Sequence, residues 1–208
     1  MRAKEETTRM STSLVFWIAA AVLLFWSVGA YNRLIRLRAS ALQAFAALYQ
    51  CLLEQAAVVR DCLPGVASLP EGPDKLMDEE DLQDDMTSLW RGLAGASLQF
   101  TASLAAARLR PLAPEAIAAL HVAQGVLHMA WQRLQADDAH DLAGAALPET
   151  LQNKWQQSVA DVQIAVQAFN LAVQTYNDAI AQFPALLLAW LFSLRRARAL
   201  MTPVNSSR

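Results

Sequence analysis

Charge is what this chain has least of. Only 17% of its 208 residues are charged and 55% are hydrophobic, whereas soluble domains average about 25% charged and roughly 45–50% apolar. The shortage moves the composition toward membrane or long-helix proteins. Glycine and proline are also scarce, at 7 and 8 residues, and they cluster between apolar runs. That distribution argues against a sheet and for long helices with punctuated loops. A net charge of −2 and the lack of a basic face with interleaved aromatics argue against nucleic acid as a partner. The two cysteines, Cys51 and Cys62, lie eleven residues apart in one expected helix. About 16 Å of helical rise separates them, so they cannot bond to each other within it. Two thiols say little about redox compartment.

Charge vanishes altogether between Arg9 and Arg33. The gap holds LVFWIAAAVLLFWSVGA from Leu14 to Ala30, and the stretch from Thr12 to Tyr31 makes about 30 Å of helix, enough to cross a hydrocarbon core. Trp17, Trp26 and Tyr31 stand toward its ends, where amphipathic rings are favoured. A cleaved signal peptide is the rival reading, with Val28-Gly29-Ala30 as a cleavage site. The apolar run exceeds the usual length of a signal peptide, and Glu5 and Glu6 precede it, so a retained anchor is the expectation. A buried core helix would need a polar face, and none exists. Arg2, Lys4 and Arg9 on one side balance Arg33, Arg36 and Arg38 on the other, so the positive-inside rule sets no orientation.

The periodicity beyond the anchor is helical. Apolar residues at 34, 37, 41, 44, 48, 51, 58 and 62, with Gln55 as the polar member, form a heptad seam that carries both cysteines. No breaker separates it from the anchor, so one rod is expected from near 12 to near 63. Residues 64–74, with three prolines and two glycines, form a loop. Acidic residues from Asp78 to Asp85 then suit a helix start; they lack the glycine and closing glutamate of a calcium loop. A second helix presents Leu82, Met86, Leu89, Leu93, Ala96, Phe100, Leu104 and Ala107, and ends before Pro111 and Pro114. A third starts at Pro114 and presents Ile117, Leu120, Gln124, Leu127, Trp131 and Leu134. A fourth starts at Pro148-Glu149 and presents Leu151, Trp155, Val159, Val162, Val166, Phe169, Val173, Tyr176, Ile180 and Phe183. After Pro184 a short apolar stretch, 185–194, leads into Arg195, Arg196 and Arg198. Ten residues are too few to span a bilayer; the stretch either closes the bundle or lies in the membrane interface.

Groups that carry chemistry are missing at recognisable spacings. His121 and His128 share a helix face, and His140 sits near Asp137, Asp138 and Asp141 in a loop, with no zinc-type spacing among them. They read as helix-surface or rim histidines. No phosphate loop, dinucleotide fingerprint, nucleophile elbow or CxxC occurs. No catalytic residue, metal ligand or cofactor is therefore assigned.

Two segments resemble the LemA family of bacterial membrane proteins. The first is Tyr31-Asn32-Arg33-Leu34-Ile35-Arg36-Leu37-Arg38, continued by Ala44 and Phe45. The second is Phe169-Asn170-Leu171-Ala172-Val173-Gln174-Thr175-Tyr176-Asn177, followed by Phe183-Pro184, Ala189 and Phe192. The family's charged run in the first helix is replaced here by Glu54 to Asp61, so the resemblance is to a divergent member. It implies a membrane-anchored helical domain of the bacterial cytoplasmic membrane, with no established activity. The motif positions Tyr31, Asn32, Leu34, Leu37, Arg38, Phe169, Asn170, Val173, Tyr176, Asn177, Phe183 and Pro184 are expected to be structural, with partner docking as the alternative. Asn32 and Asn177, unfavourable inside helices, are expected to hydrogen-bond a neighbouring helix end, and Pro184 to turn a last helix back over the bundle.

Together these readings predict an all-α protein: a tail (1–11), a transmembrane anchor (12–31), an antiparallel four-helix-type bundle (32–200) and a disordered end (201–208). The expected role is a non-enzymatic scaffold or adaptor, single-pass in the bacterial inner membrane. A sensor that transmits a helix rearrangement is the alternative. Expected partners are the lipid bilayer, another envelope protein and a second copy of the chain.

Overall fold

The computed structural model describes residues 2–63, 80–136, 148–182 and 196–200. Four helices carry nearly all of them: α1 (Arg2–Cys62), α2 (Glu80–Leu109), α3 (Pro114–Gln135) and α4 (Glu149–Ala181), and no strand occurs among the described residues. The breakers explain the boundaries. Gly29 is the one glycine in α1, and no proline occurs before Pro64, so nothing interrupts the 61-residue rod. It begins ten residues earlier than the sequence pattern indicates. α2 ends two residues ahead of Pro111. Pro114 occupies the first turn of α3, where its missing N–H costs nothing. Pro148 precedes α4 and its carbonyl accepts from the N–H groups of Leu151 and Gln152 at 2.9 and 3.2 Å.

The helices pair as hairpins. The turn Arg110–Ala113, closed by hydrogen bonds to Ala107 and Arg110 carbonyls, reverses the chain and lays α3 against α2. α1 packs along α4. Arg33 meets Gln182 and Phe45 meets Phe169 edge to face at 5.7 Å, so numbers rise on one helix as they fall on the other and the pair is antiparallel. α2 also touches α1, where the Arg108 guanidinium lies 5.4 Å over the Tyr49 ring. The backbones of α3 and α4 stand farther apart, and large rings bridge them: Trp131 stacks on Trp155 at 4.5 Å.

Buried positions follow the expected faces on α2, α3 and α4. Leu93, Ala96, Phe100, Leu104 and Ala107 are buried, as are all six positions from Ile117 to Leu134, and Trp155, Val162, Val166, Phe169, Val173, Tyr176 and Ile180. Leu89, Leu151 and Val159 pack at the edge. Leu82, Met86 and Phe183 lie outside the residues whose side chains are described.

On α1 the expected seam is half corrected. Leu34, Ala41, Leu48, Gln55 and Cys62, each seven apart, are buried. The second line of the seam is not Leu37, Ala44, Cys51 and Val58, which are only partly buried. Phe45, Leu52 and Val59 replace it from Ala41 onward, four residues after Ala41, Leu48 and Gln55 instead of three, with Ala56 beside them. Both registers are apolar. The helix turns its larger side chains inward, Phe45 over Ala44 and Leu52 over Cys51, because they bury more apolar area.

Candidate functional site

Two families of polar side chains enter the bundle, and the stronger arrangement is on α4. Asn170 and Asn177 lie seven residues apart, on one flank of the helix. Asn170 donates from Nδ2 to the Leu200 carbonyl at 2.7 Å and accepts from the Leu200 N–H at 2.8 Å. Asn177 donates to the Ala197 carbonyl at 2.8 Å and accepts from the Ala197 N–H at 2.9 Å. Each amide thus satisfies both main-chain groups of one residue. Seven helical residues rise about 10.5 Å. Three residues cover that distance only when nearly extended, at about 3.3–3.5 Å each. Arg196–Leu200 therefore runs as an extended strip antiparallel to α4, and it carries no helix. Ala197 and Leu200 join the buried core while Arg196, Arg198 and Ala199 stay exposed.

Asn177 thus bonds outside its own helix, as the sequence suggests, but its partner is an extended strip and not a helix end. Asn170 does the same, although helical pattern alone leaves it unremarked. Asn32 is exposed. Phe183, Pro184 and the stretch 185–194 lie outside the described residues, so the turn expected there is not described. The two buried residues of the strip, Ala197 and Leu200, carry no signal in the sequence because five residues are too few to show a period.

The two motifs, more than 120 residues apart in sequence, meet along α1 and α4. Leu34 is buried, Leu37 packs at the core's edge, and Tyr31 is half-buried. Arg38 lies close enough to Tyr176 to oppose the rise that burial imposes on the phenol's pKa. Phe169, Val173 and Tyr176 fill the interior.

The second polar group crosses the bundle core. Gln55 of α1 is fully buried and faces His128 of α3 at 3.5 Å. His128 Nδ1 lies 3.1 Å from the Gln124 carbonyl. A carbonyl only accepts, so Nδ1 carries the proton and Nε2 is left to accept from the Gln55 amide. Burial lowers the His128 pKa below 6.5, against the pull of that carbonyl. Its ring also meets Trp155 edge-on at 5.2 Å. His128 is therefore an engaged, half-buried group and not a surface histidine. His121 is half-buried on the same helix, and His140 lies outside the described residues. Among the described residues, no three His, Cys, Asp or Glu side chains converge as metal ligands.

Both cysteines are free. Burial first, then Asp61, pushes the Cys62 thiol up to about 11, against Lys154. Burial, Glu54 and Asp161 raise Cys51 as well. Neither is poised as a thiolate nucleophile.

The clamp and its strip fall inside a region of known kinship. A family model described as LemA family matches residues 75–207. The chain belongs to the LemA family. The LemA match includes the Phe169–Asn177 motif and the strip that it holds; the Tyr31–Phe45 segment lies outside the matched residues and reaches the same place through α1. Comparison with curated proteins and with solved structures finds no match.

Proposed function

We propose that this LemA-family chain is a membrane-anchored helical bundle of the bacterial cytoplasmic membrane, single-pass, that acts as a non-enzymatic scaffold or adaptor for another envelope protein. The observation that carries the reading is the contrast along α1. The described residues hold one helix long and apolar enough to cross a membrane, and only 6% of its most apolar window is buried against the protein. Phe25 is 85% exposed. A side chain of that kind left in water costs what its burial would recover, so lipid is the environment that suits it. Ser27, polar among these residues, returns its hydroxyl to the Leu23 carbonyl at 2.7 Å, which satisfies it without water. Membrane fractionation with reporter fusions at both ends tests the anchor: retention in washed membranes is expected. A soluble mature chain beginning at Tyr31 would overturn the reading. Capture from detergent-solubilised membranes tests the adaptor role, and recovery of nothing besides the chain itself would count against it.

The second reading is a sensor that passes a helix rearrangement across the bilayer. It is favoured by the continuity of α1 through Gly29 into the bundle. Gly29→Pro discriminates the two. An anchor tolerates the kink and complements a deletion strain; a signal transmitted along the rod is lost.

A further inference from the structure

The asparagine clamp sets the height at which two arginines stand. Arg33 meets Gln182, so Asn177, five residues back along α4, lies level with Arg38, five residues on along α1. Asn177 holds Ala197, while Asn170 holds Leu200 farther from the anchor. Arg196 therefore lies on the anchor side of Ala197 and Arg198 on the other. Arg33, Arg36 and Arg38 follow Tyr31 by two, five and seven residues, about 3, 7.5 and 10.5 Å of helical rise. Arg196 and Arg198, one extended residue to either side of the Arg38 level, stand at about 7 and 14 Å. All five are exposed, and none is ion-paired among the described residues. The contact of Arg33 is with a neutral amide, which leaves its charge uncompensated. Over these levels Asp178 is the one carboxylate on α1, α4 and the strip. We propose that these five arginines form a collar that binds the headgroups of anionic phospholipids around the end of the anchor. The proposal rests on the membrane reading of residues 12–31 and adds a lipid class to it.

Three physical arguments select a lipid surface as the partner. The first is height. A bilayer's hydrocarbon core of about 30 Å lies within a total of roughly 40–45 Å, which leaves about 5–8 Å of headgroup layer on each side. Arg33, Arg36 and Arg196 fall in that layer when Tyr31 marks the end of the anchor. Arg38 and Arg198 lie within about 8 Å of its outer edge, one Debye length at physiological salt. The second is distribution. Steps of about 100° per residue set Arg33, Arg36 and Arg38 on different sides of α1, and the strip adds its pair beside α4. An acidic patch on a folded protein meets one face; a headgroup layer surrounds the rod and meets every side at once. The third is chemistry. The guanidinium fork matches phosphate oxygens in bidentate geometry. Phosphatidylcholine offsets its phosphate with its own cation, whereas phosphatidylglycerol leaves the charge free. Each arginine near an anionic surface contributes about a fivefold preference.

The test uses the full-length chain carrying Trp17→Phe and Trp190→Phe, reconstituted into vesicles that mix phosphatidylglycerol with phosphatidylcholine. Trp26, 48% exposed and five residues before Tyr31, reports the adjoining lipid through quenching by bromine on the acyl chains. One set of vesicles has the phosphatidylglycerol brominated and the other the phosphatidylcholine. Quenching is expected to show phosphatidylglycerol favoured about fivefold beside Trp26. The ratio is expected to fall to about one when Arg33→Gln, Arg36→Gln, Arg196→Gln and Arg198→Gln are combined. Asn170→Ala with Asn177→Ala, all arginines intact, is expected to lower it partway, because the strip then loses its height. Equal quenching by the two lipids overturns the proposal and leaves the anchor standing. A preference that survives the four glutamines overturns it as well, and a ratio indifferent to the clamp removes the strip from the collar. Quenching by neither lipid sinks the membrane reading, and the collar with it.

Discussion

The two halves of α1 share one backbone and opposite environments. From Phe16 to Val28 the described large side chains stand 48–85% exposed, while from Leu34 to Cys62 the chain buries a stripe in which Leu48, Leu52 and Val59 are 0% exposed. The first half is apolar all round; the second is apolar on one face. Helix formation is indifferent to the difference, because neither half holds a breaker capable of ending it. What the contrast teaches is that the apolar pattern, not the backbone, decides which medium a segment suits. A stripe can be satisfied by three other helices, and a full cylinder needs a solvent that surrounds it.

The comparison breaks most sharply under charge. Leu24→Arg with Phe25→Arg is expected to penalise insertion by about 5–7 kcal/mol in total if the first half is an anchor, releasing the chain to the soluble fraction. The melting of the bundle, followed by circular dichroism in detergent, should stay unchanged. The second half responds the other way. Trp131→Ala removes the ring that bridges α3 and α4 by stacking on Trp155, and is expected to cost about 3–5 kcal/mol of bundle stability while membrane retention persists. Asn177→Ala sharpens the picture at the bundle's edge. It removes two hydrogen bonds and leaves both main-chain groups of Ala197 without them, a loss of about 2–3 kcal/mol. Faster amide exchange at Ala197 and Leu200 than in α4 would report it.

The smallest effect is a pH dependence confined to the second half. His128 binds its proton less well when folded, because burial disfavours the charged ring. The unfolded chain therefore takes up more protons as the medium is acidified. The stability tied to the neutral ring is complete above about pH 6.5, its ordinary value, declines as pH falls below it, and levels off beneath the folded-state pKa. Thermal melts from pH 7.5 downward should show this slope, and His128→Gln should flatten it.

Much of this architecture is legible in the sequence. Pro64, Pro111, Pro114, Pro148 and Pro184 bracket the helices, and spacing on α2, α3 and α4 named nearly every buried residue, because one face of a regular helix must return every three or four positions. α1 resisted the same treatment. Its second half offers Ala44, Cys51 and Val58 on one flank of the seam and Phe45, Leu52 and Val59 on the other, and spacing alone does not rank two apolar flanks. The polar crossing was visible only in pieces: Gln55 and Gln124 stood out as amides on apolar faces, but nothing in sequence pairs residue 55 with residue 128.

From sequence alone came the helices, the apolar cylinder at the N-terminus and the two asparagine-bearing motifs, since each is set by neighbours within a few turns. Packing decided which flank of α1 turns inward, because that depends on the volume offered by a helix more than a hundred residues away. It also decided what Asn170 and Asn177 hold. Their match to Leu200 and Ala197 is an equality of two rises, seven residues of helix against three of extended chain, and it exists only where the strip lies alongside α4.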